Sequence, residues 1–298
     1  MEFATTPDLE VAYEATGPHD GQAVVCVHGW PDSPHCWNGV RPLLHEAGCR
    51  VYTPYLRGFS PTKFRLDSKQ RSGQIGALAR DIVDFLEALA LDDVLLVGHD
   101  WGARAAYAVA AVFPERLRGL VALSTGYGTN SPDYQFDLDV AHSFWYQWYV
   151  ATEIGRAAIR KEPRALGRYL WEEWTPNWHF SEELFEEAAA TWKNDDWTEI
   201  TIHAYLHRWG EAPGDPAYHQ IEAQLATHPQ ITIPTLVMHG ATDPGNPASS
   251  SVGREHMFTG DYRRIELPGV GHLIPREAPN ELAHALLDLL SRCGTSEA

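Results

Sequence analysis

The chain has 298 residues, 44% of them hydrophobic and 21% charged, enough to bury a large core and too apolar for bulk disorder. Lys and Arg number 23 against 40 Asp and Glu, a formal net charge of −17. That sign excludes a phosphate-tracking nucleic-acid binder and speaks against an anionic membrane surface as partner.

Met1–Ala15 contains no basic stretch followed by an apolar one, so no secretory leader is expected. Glu10–Glu14, Ala23–His28 and Arg50–Thr53 read as strands, and Gly76–Ala90 as a helix ending before Asp92-Asp93. Val94–Val97 is a continuous apolar run, as in strands buried on both faces of a parallel sheet. Trp101–Phe113 has a helical pattern that Pro114 stops. It contains the longest apolar run, Ala105–Phe113, far too short to span a bilayer. Leu120–Leu123 is the next strand. From about Thr129 to His228 strand signals vanish, and eight of the eleven tryptophans fall there. Strands resume at Thr235–His239 and Arg263–Leu267, and Glu277–Arg292 predicts a closing helix.

Alternation of this kind predicts a mostly parallel, doubly wound α/β sheet. Its core is expected in two segments, 1–128 and 229–298, separated by an α-helical insertion over 129–228. Cys26, Cys36, Cys49 and Cys293 show neither paired nor zinc-type spacing, which points to reduced thiols in a cytoplasmic protein. His203 and His207 have the i, i+4 spacing of two metal ligands on a helix, but nothing completes a set around them. No metal and no other cofactor is expected.

Gly98-His99-Asp100-Trp101-Gly102 joins a buried strand to a helix. Small residues on both sides allow a sharp turn that holds its central residue strained, and the helix N-terminus favours a carboxylate there. Asp100 as a plain helix cap is the alternative. Gly269-Val270-Gly271-His272 follows the last strand, and Asp243 lies on the loop after the strand before it. An imidazole oriented by a carboxylate is the usual way to activate water. Asp243 as a turn residue beside Pro244 and Gly245 is the competing reading.

The chain resembles an α/β-hydrolase with a helical cap, along essentially its whole length. The order nucleophile, acid, histidine is that of the family. Most members carry Ser at the elbow; this chain carries Asp100. A carboxylate that attacks saturated carbon forms an ester that water can cleave, whereas a serine would form an inert ether. The resemblance therefore implies Asp100 as nucleophile, His272 as general base and Asp243 as its orienting acid. His28-Gly29-Trp30-Pro31 resembles the family's His-Gly-x-Pro loop. It implies a cis Pro31 and an oxyanion hole from the backbone N–H groups of Trp30 and Trp101. Two departures are Tyr55, near a point where an acidic residue is frequent, and Ala103, where glycine is frequent.

Within the family, the chain resembles soluble epoxide hydrolases. Tyr146-Gln147-x-Tyr149 is similar to the segment that bears one of their ring-opening tyrosines, and Tyr205 lies where the second is expected. Tyr149 is the nearest rival to Tyr146, and helix packing is the plain alternative for all three. Trp30, Trp101, Trp145 and Tyr149 are expected to contact substrate. The implied reaction converts an epoxide and water to a vicinal diol. A haloalkane dehalogenase with the same nucleophile is the alternative, and Trp101 does not discriminate between them. A retired hydrolase that only binds a small ligand is a further alternative, for which three intact catalytic groups would be superfluous. The insertion's tryptophans suggest a mostly apolar pocket and its 17 acidic against 7 basic residues make a poor setting for a carboxylate, so a neutral, lipophilic substrate is expected. Oligomeric state is not legible in the sequence.

Overall fold

The computed structural model describes residues 1–129 and 138–293. A nine-stranded sheet runs through it. Its strands are β1 (Glu2–Thr5), β2 (Leu9–Thr16), β3 (Gln22–Val27), β4 (Cys49–Pro54), β5 (Lys63–Phe64), β6 (Val94–His99), β7 (Leu117–Leu123), β8 (Thr235–Gly240) and β9 (Tyr262–Leu267). The order is β1-β2-β4-β3-β6-β7-β8-β9, with β5 paired to β2. Every neighbour from β4 to β9 is parallel, and β2 meets β1, β4 and β5 antiparallel. This is the expected doubly wound sheet with an antiparallel edge. The two strands missing from the sequence reading, β1 and β5, are four and two residues long. They are too short to show a period.

Continuous apolar runs mark the central strands because both faces are covered. Val25, Val27 and Leu96 face one core cluster, while Val24, Cys26, Leu95 and Val97 face the other. Ile75–Ala88 and Trp101–Val112 cover the first face, and Pro279–Cys293 the second. Phe113 leaves the helical region at φ −132°, as a residue before proline must. The closing helix begins earlier than expected, as a short turn Ile274–Glu277, and restarts at Pro279. Proline has no N–H to continue a ladder but suits a first turn.

Between β7 and β8 the described residues contain helices and no strand of the sheet. The main ones are Trp145–Ala151, Glu153–Lys161, Pro163–Trp174, Glu182–Ala189 and Asp195–Arg208. Their starts are legible: Thr152 Oγ1 accepts from Gly155 N, and Asn194 Oδ1 from Trp197 N. At Gly155 an added Cβ would sit 1.8 Å from the Tyr149 carbonyl oxygen, so only glycine permits that tight joint. All four cysteines are free thiols. No described helix is long and apolar enough to cross a membrane.

Candidate active site

Asp100 occupies the turn between β6 and the helix Trp101–Val112 at φ 51°, ψ −111°, a conformation that L residues rarely adopt. Its neighbours explain the small residues around it. A Cβ on Gly98 would lie 2.3 Å from the Gly102 carbonyl oxygen, and one on Gly102 2.3 Å from that of Val27. A Cβ on Gly29 would lie 2.5 Å from Asp100 Cβ. Three glycines thus let the loop after β3 approach the carboxylate. The Trp30-Pro31 peptide bond is cis.

Trp30 N–H donates to Asp100 Oδ1 at 3.0 Å. The other oxygen, Oδ2, lies 3.7 Å from His272 Nε2. On the far side of the ring, His272 Nδ1–H donates to Asp243 Oδ2 at 2.7 Å. The second Asp243 oxygen accepts from the N–H groups of Gly245 and Asn246 at 2.8 and 3.0 Å. Pro244 and Gly245 shape a turn that Asp243 itself caps, so its turn role and its contact with His272 coexist. Three buried side chains, distant in sequence, converge on one line.

His272 is held on every side. Its N–H donates to the Trp174 carbonyl at 2.9 Å. Its carbonyl accepts from His99 Nε2 and from Ser124 Oγ, both at 2.8 Å. Glu277 clamps the flanking Gly271 and Leu273 N–H groups, each at 2.8 Å. Burial drives the His272 pKa down, but the carboxylates of Asp243 and then Asp100 outweigh it and leave it above the ordinary imidazole range. The Nε2 atom has no hydrogen-bond partner. With a carboxylate oxygen 3.7 Å away, it faces the group it would serve.

A cavity of about 330 Å³ opens beside Asp100. Tyr146, Tyr205 and Trp101 line it together with Asp100, and the two phenol rings meet edge to face at 5.6 Å. Tyr146 Oη accepts from Gln147 Nε2 at 2.8 Å, leaving its own hydrogen available. Tyr205 Oη is buried beside the Trp101 indole and lacks a partner in bonding geometry. Burial, reinforced by Asp100, pushes the Tyr146 pKa up to about 12. Burial, then Tyr146 and Asp100, raises that of Tyr205 well above the usual phenol value. Both therefore remain protonated donors at neutral pH.

Trp145 and Tyr149, expected at the substrate, do not line this cavity. Trp145 turns its Nε1–H to Glu173 and packs on Tyr169 and Tyr149. The turn of helix separating Tyr149 from Tyr146 carries Tyr149 past the wall. The Trp30 indole is also absent from the wall. It stacks at about 6 Å on Trp101, Tyr146 and Trp197, behind the cavity, and only its backbone N–H reaches Asp100. The Trp101 N–H makes no hydrogen bond to Asp100 in this state, so half of the expected oxyanion hole is engaged. Tyr55, one departure from the family pattern, spends its hydroxyl on His35 at 3.2 Å, away from the wall.

Among the wall residues that the sequence reading did not assign to the site are Arg104, Thr129, Gln147 and Arg208. Gln147 had a local signal, since it follows Tyr146 directly. The others had none. His203 and His207 use ring nitrogens on the backbone of Gly73, Pro213 and Ala212. Among the described residues, no group of three or more His, Cys, Asp or Glu has metal-holding geometry.

Comparison with known proteins places the fold in a family. Residues 22–279 match the α/β-hydrolase fold family. Epoxide hydrolase B of Mycobacterium tuberculosis is 26% identical over 93% of this chain and 94% of its own length. A crystal structure of a candidate epoxide hydrolase from Klebsiella pneumoniae superposes with a TM-score of 0.90 at 36% identity, covering 97% of this chain and 96% of that one. Potato epoxide hydrolase I shares the fold at a TM-score of 0.78, with 19% identity and 98% of both chains covered. The chain belongs to the α/β-hydrolase family and is an epoxide hydrolase-like member of it.

Proposed function

We propose that the protein hydrolyses an epoxide to a vicinal diol through an ester on Asp100. The observation that carries this reading is the pair of buried phenols, Tyr146 and Tyr205, that line one cavity with the carboxylate of Asp100. Asp100 Oδ2, the oxygen not held by Trp30 N–H, attacks a ring carbon. The C–O bond to that carbon breaks as the ester bond forms, and the alkoxide takes a proton from Tyr146 or Tyr205. Two donors aimed at one oxygen polarise the ring and then neutralise the charge. In the second step His272 takes a proton from water, which adds to the ester carbonyl carbon. The Oδ1 oxyanion is stabilised by Trp30 N–H, joined by Trp101 N–H. The acyl–oxygen bond then breaks, the departing oxygen takes the proton held by the His272 imidazolium, the carboxyl proton left on Asp100 returns to the tyrosinate, and the diol leaves with an oxygen that came from Asp100. The 129–228 insertion acts as a cap that supplies both phenols and excludes water from the first step.

The carbon–halide alternative needs N–H donors and no proton. The two phenols are superfluous to it, and the Trp101 indole sits beside the Tyr205 oxygen. The relatives named as epoxide hydrolases support the same choice.

A single turnover in heavy-oxygen water tests the covalent route. The first diol is expected to carry only unlabelled oxygen, with label entering Asp100; heavy oxygen in the first-turnover diol would refute the ester. Replacing the phenols tests the oxirane. Tyr146→Phe and Tyr205→Phe should each slow ester formation on an epoxide by about a hundredfold, and the double variant by more than either. Pre-steady-state measurement of enzyme alkylation reads this directly. Equal rates in all four proteins, with halide released from a bromoalkane, would transfer the site to dehalogenation.

A further inference from the structure

We propose that the epoxide this cavity accepts carries a carboxylate, recognised by Arg208 with Arg104 beside it. The ring of that substrate rests on the epoxide reading above; the anion does not.

The cavity wall has a cationic end. Arg104 and Arg208 both line it. Arg104 Nη1 donates to Thr129 Oγ1 at 2.8 Å, and Arg208 Nη2 to the Thr129 carbonyl at 3.1 Å. Two guanidinium groups therefore share one residue and stand as neighbours. The Arg208 plane lies over the rings of Phe144 and Trp209 at 4.8 and 5.1 Å, which fixes its orientation. Among the described residues no carboxylate pairs with Arg208. Burial, then repulsion by Arg104, lowers its pKa to about 9, still protonated at neutral pH. Glu222, the other carboxylate of the wall besides Asp100, is turned onto the Gly76 N–H at 2.7 Å. A guanidinium held this way in a low-dielectric wall is costly without a counter-charge, and a planar fork suits a carboxylate.

The placement is systematic. Arg208 follows Tyr205 by three residues on the helix Asp195–Arg208, and Arg104 follows Asp100 by four at the start of the helix Trp101–Val112. Such spacings put side chains on one helical face, with Cβ atoms about 5–6 Å apart. One turn of each helix thus separates the reacting groups from the cationic pair. A substrate bridging them has its oxirane and its carboxylate a few bonds apart. The charges also offset the repulsion that Asp100 would exert on such an anion.

This runs against the expectation of a neutral substrate, which came from the insertion's tryptophans and from its net charge. That charge is largely spent at the surface: Glu182 and Glu186 pair there with Arg168 and Arg164. Net charge reports on the exterior, and the wall has a sign of its own.

The test compares a short-chain epoxy carboxylic acid with its primary amide, a neutral partner of the same shape. Wild-type enzyme is expected to show at least a tenfold higher kcat/KM for the acid. Arg208→Gln should abolish that preference while leaving the amide within about threefold, and Arg208→Lys should restore part of it. Calorimetric binding of the corresponding dihydroxy acid and dihydroxy amide, to wild type and to Arg208→Gln, gives a readout that needs no turnover. Tighter binding of the acid, lost in the variant, supports the site whatever reaction the protein performs. Equal use and equal binding of acid and amide by the wild type, or an acid preference that survives Arg208→Gln, overturns it. Neutral epoxides hydrolysed with no preference for the acid would sink this inference alone; acid binding with no epoxide hydrolysed would sink the ring and keep the anion site.

Discussion

Asp100→Ala is expected to lower kcat by about 10⁴-fold or more, because the ester bond on which both later steps depend is made by that carboxylate. Asp100→Gly should be as inactive and yet more stable than Asp100→Ala. The position sits at φ 51°, ψ −111°, where a Cβ is strained and glycine is not. Relief of about 1 kcal/mol would raise the unfolding midpoint by about 2 °C relative to the alanine variant. Thermal scans at one rate, with diol formation assayed alongside, check both halves. A glycine variant no more stable than the alanine one would mean that the elbow stores no strain. Turnover surviving in either would remove Asp100 from the chemistry.

His272→Gln should separate the two steps. Alkylation needs the Asp100 carboxylate and the phenol protons, so it proceeds. Hydrolysis needs a base, so the ester accumulates and kcat falls about 10²–10⁴-fold. Mass spectrometry of the intact protein should find it heavier by one substrate molecule, against a steady state of mostly free enzyme in the wild type. The pH dependence follows from the same site. In the resting enzyme burial works against the imidazolium, while Asp243 and Asp100 favour it and prevail. Esterification removes the Asp100 charge, so the His272 pKa drops when the base is needed. Only the neutral ring accepts a proton. Ester hydrolysis is therefore complete above the pKa of the ester form and is lost as pH falls through it. Ester formation has no such acid limb near neutrality. Rapid-mixing rates for the two steps across pH would expose a contradiction if the limb appeared in the first step instead of the second.

The sheet was largely legible, since strands buried on both faces write themselves as unbroken Val and Leu runs. Helix ends were legible where proline or a capping side chain punctuates the chain. Asp100 stood out because small residues flank it at Gly98 and Gly102, although only the first is required by the turn itself and the second by the Val27 carbonyl. His272 and Asp243 were readable by their places after successive strands, because the sheet order itself sets β8 beside β9 and so their loops together.

The cavity wall was a different matter. Tyr146 and Tyr149, or Tyr205 and Arg208, differ by one helical turn, and a sequence does not state where along its axis a helix meets the core. Only packing decided that Tyr146 lines the wall while Tyr149 and Trp145 pack beyond it, and that Arg104 and Arg208 meet at Thr129. Elements whose geometry is local announce themselves in the residue order. A surface assembled from helices 100 residues apart exists only once their shared apolar faces have been buried, because that burial, and no local rule, sets their register.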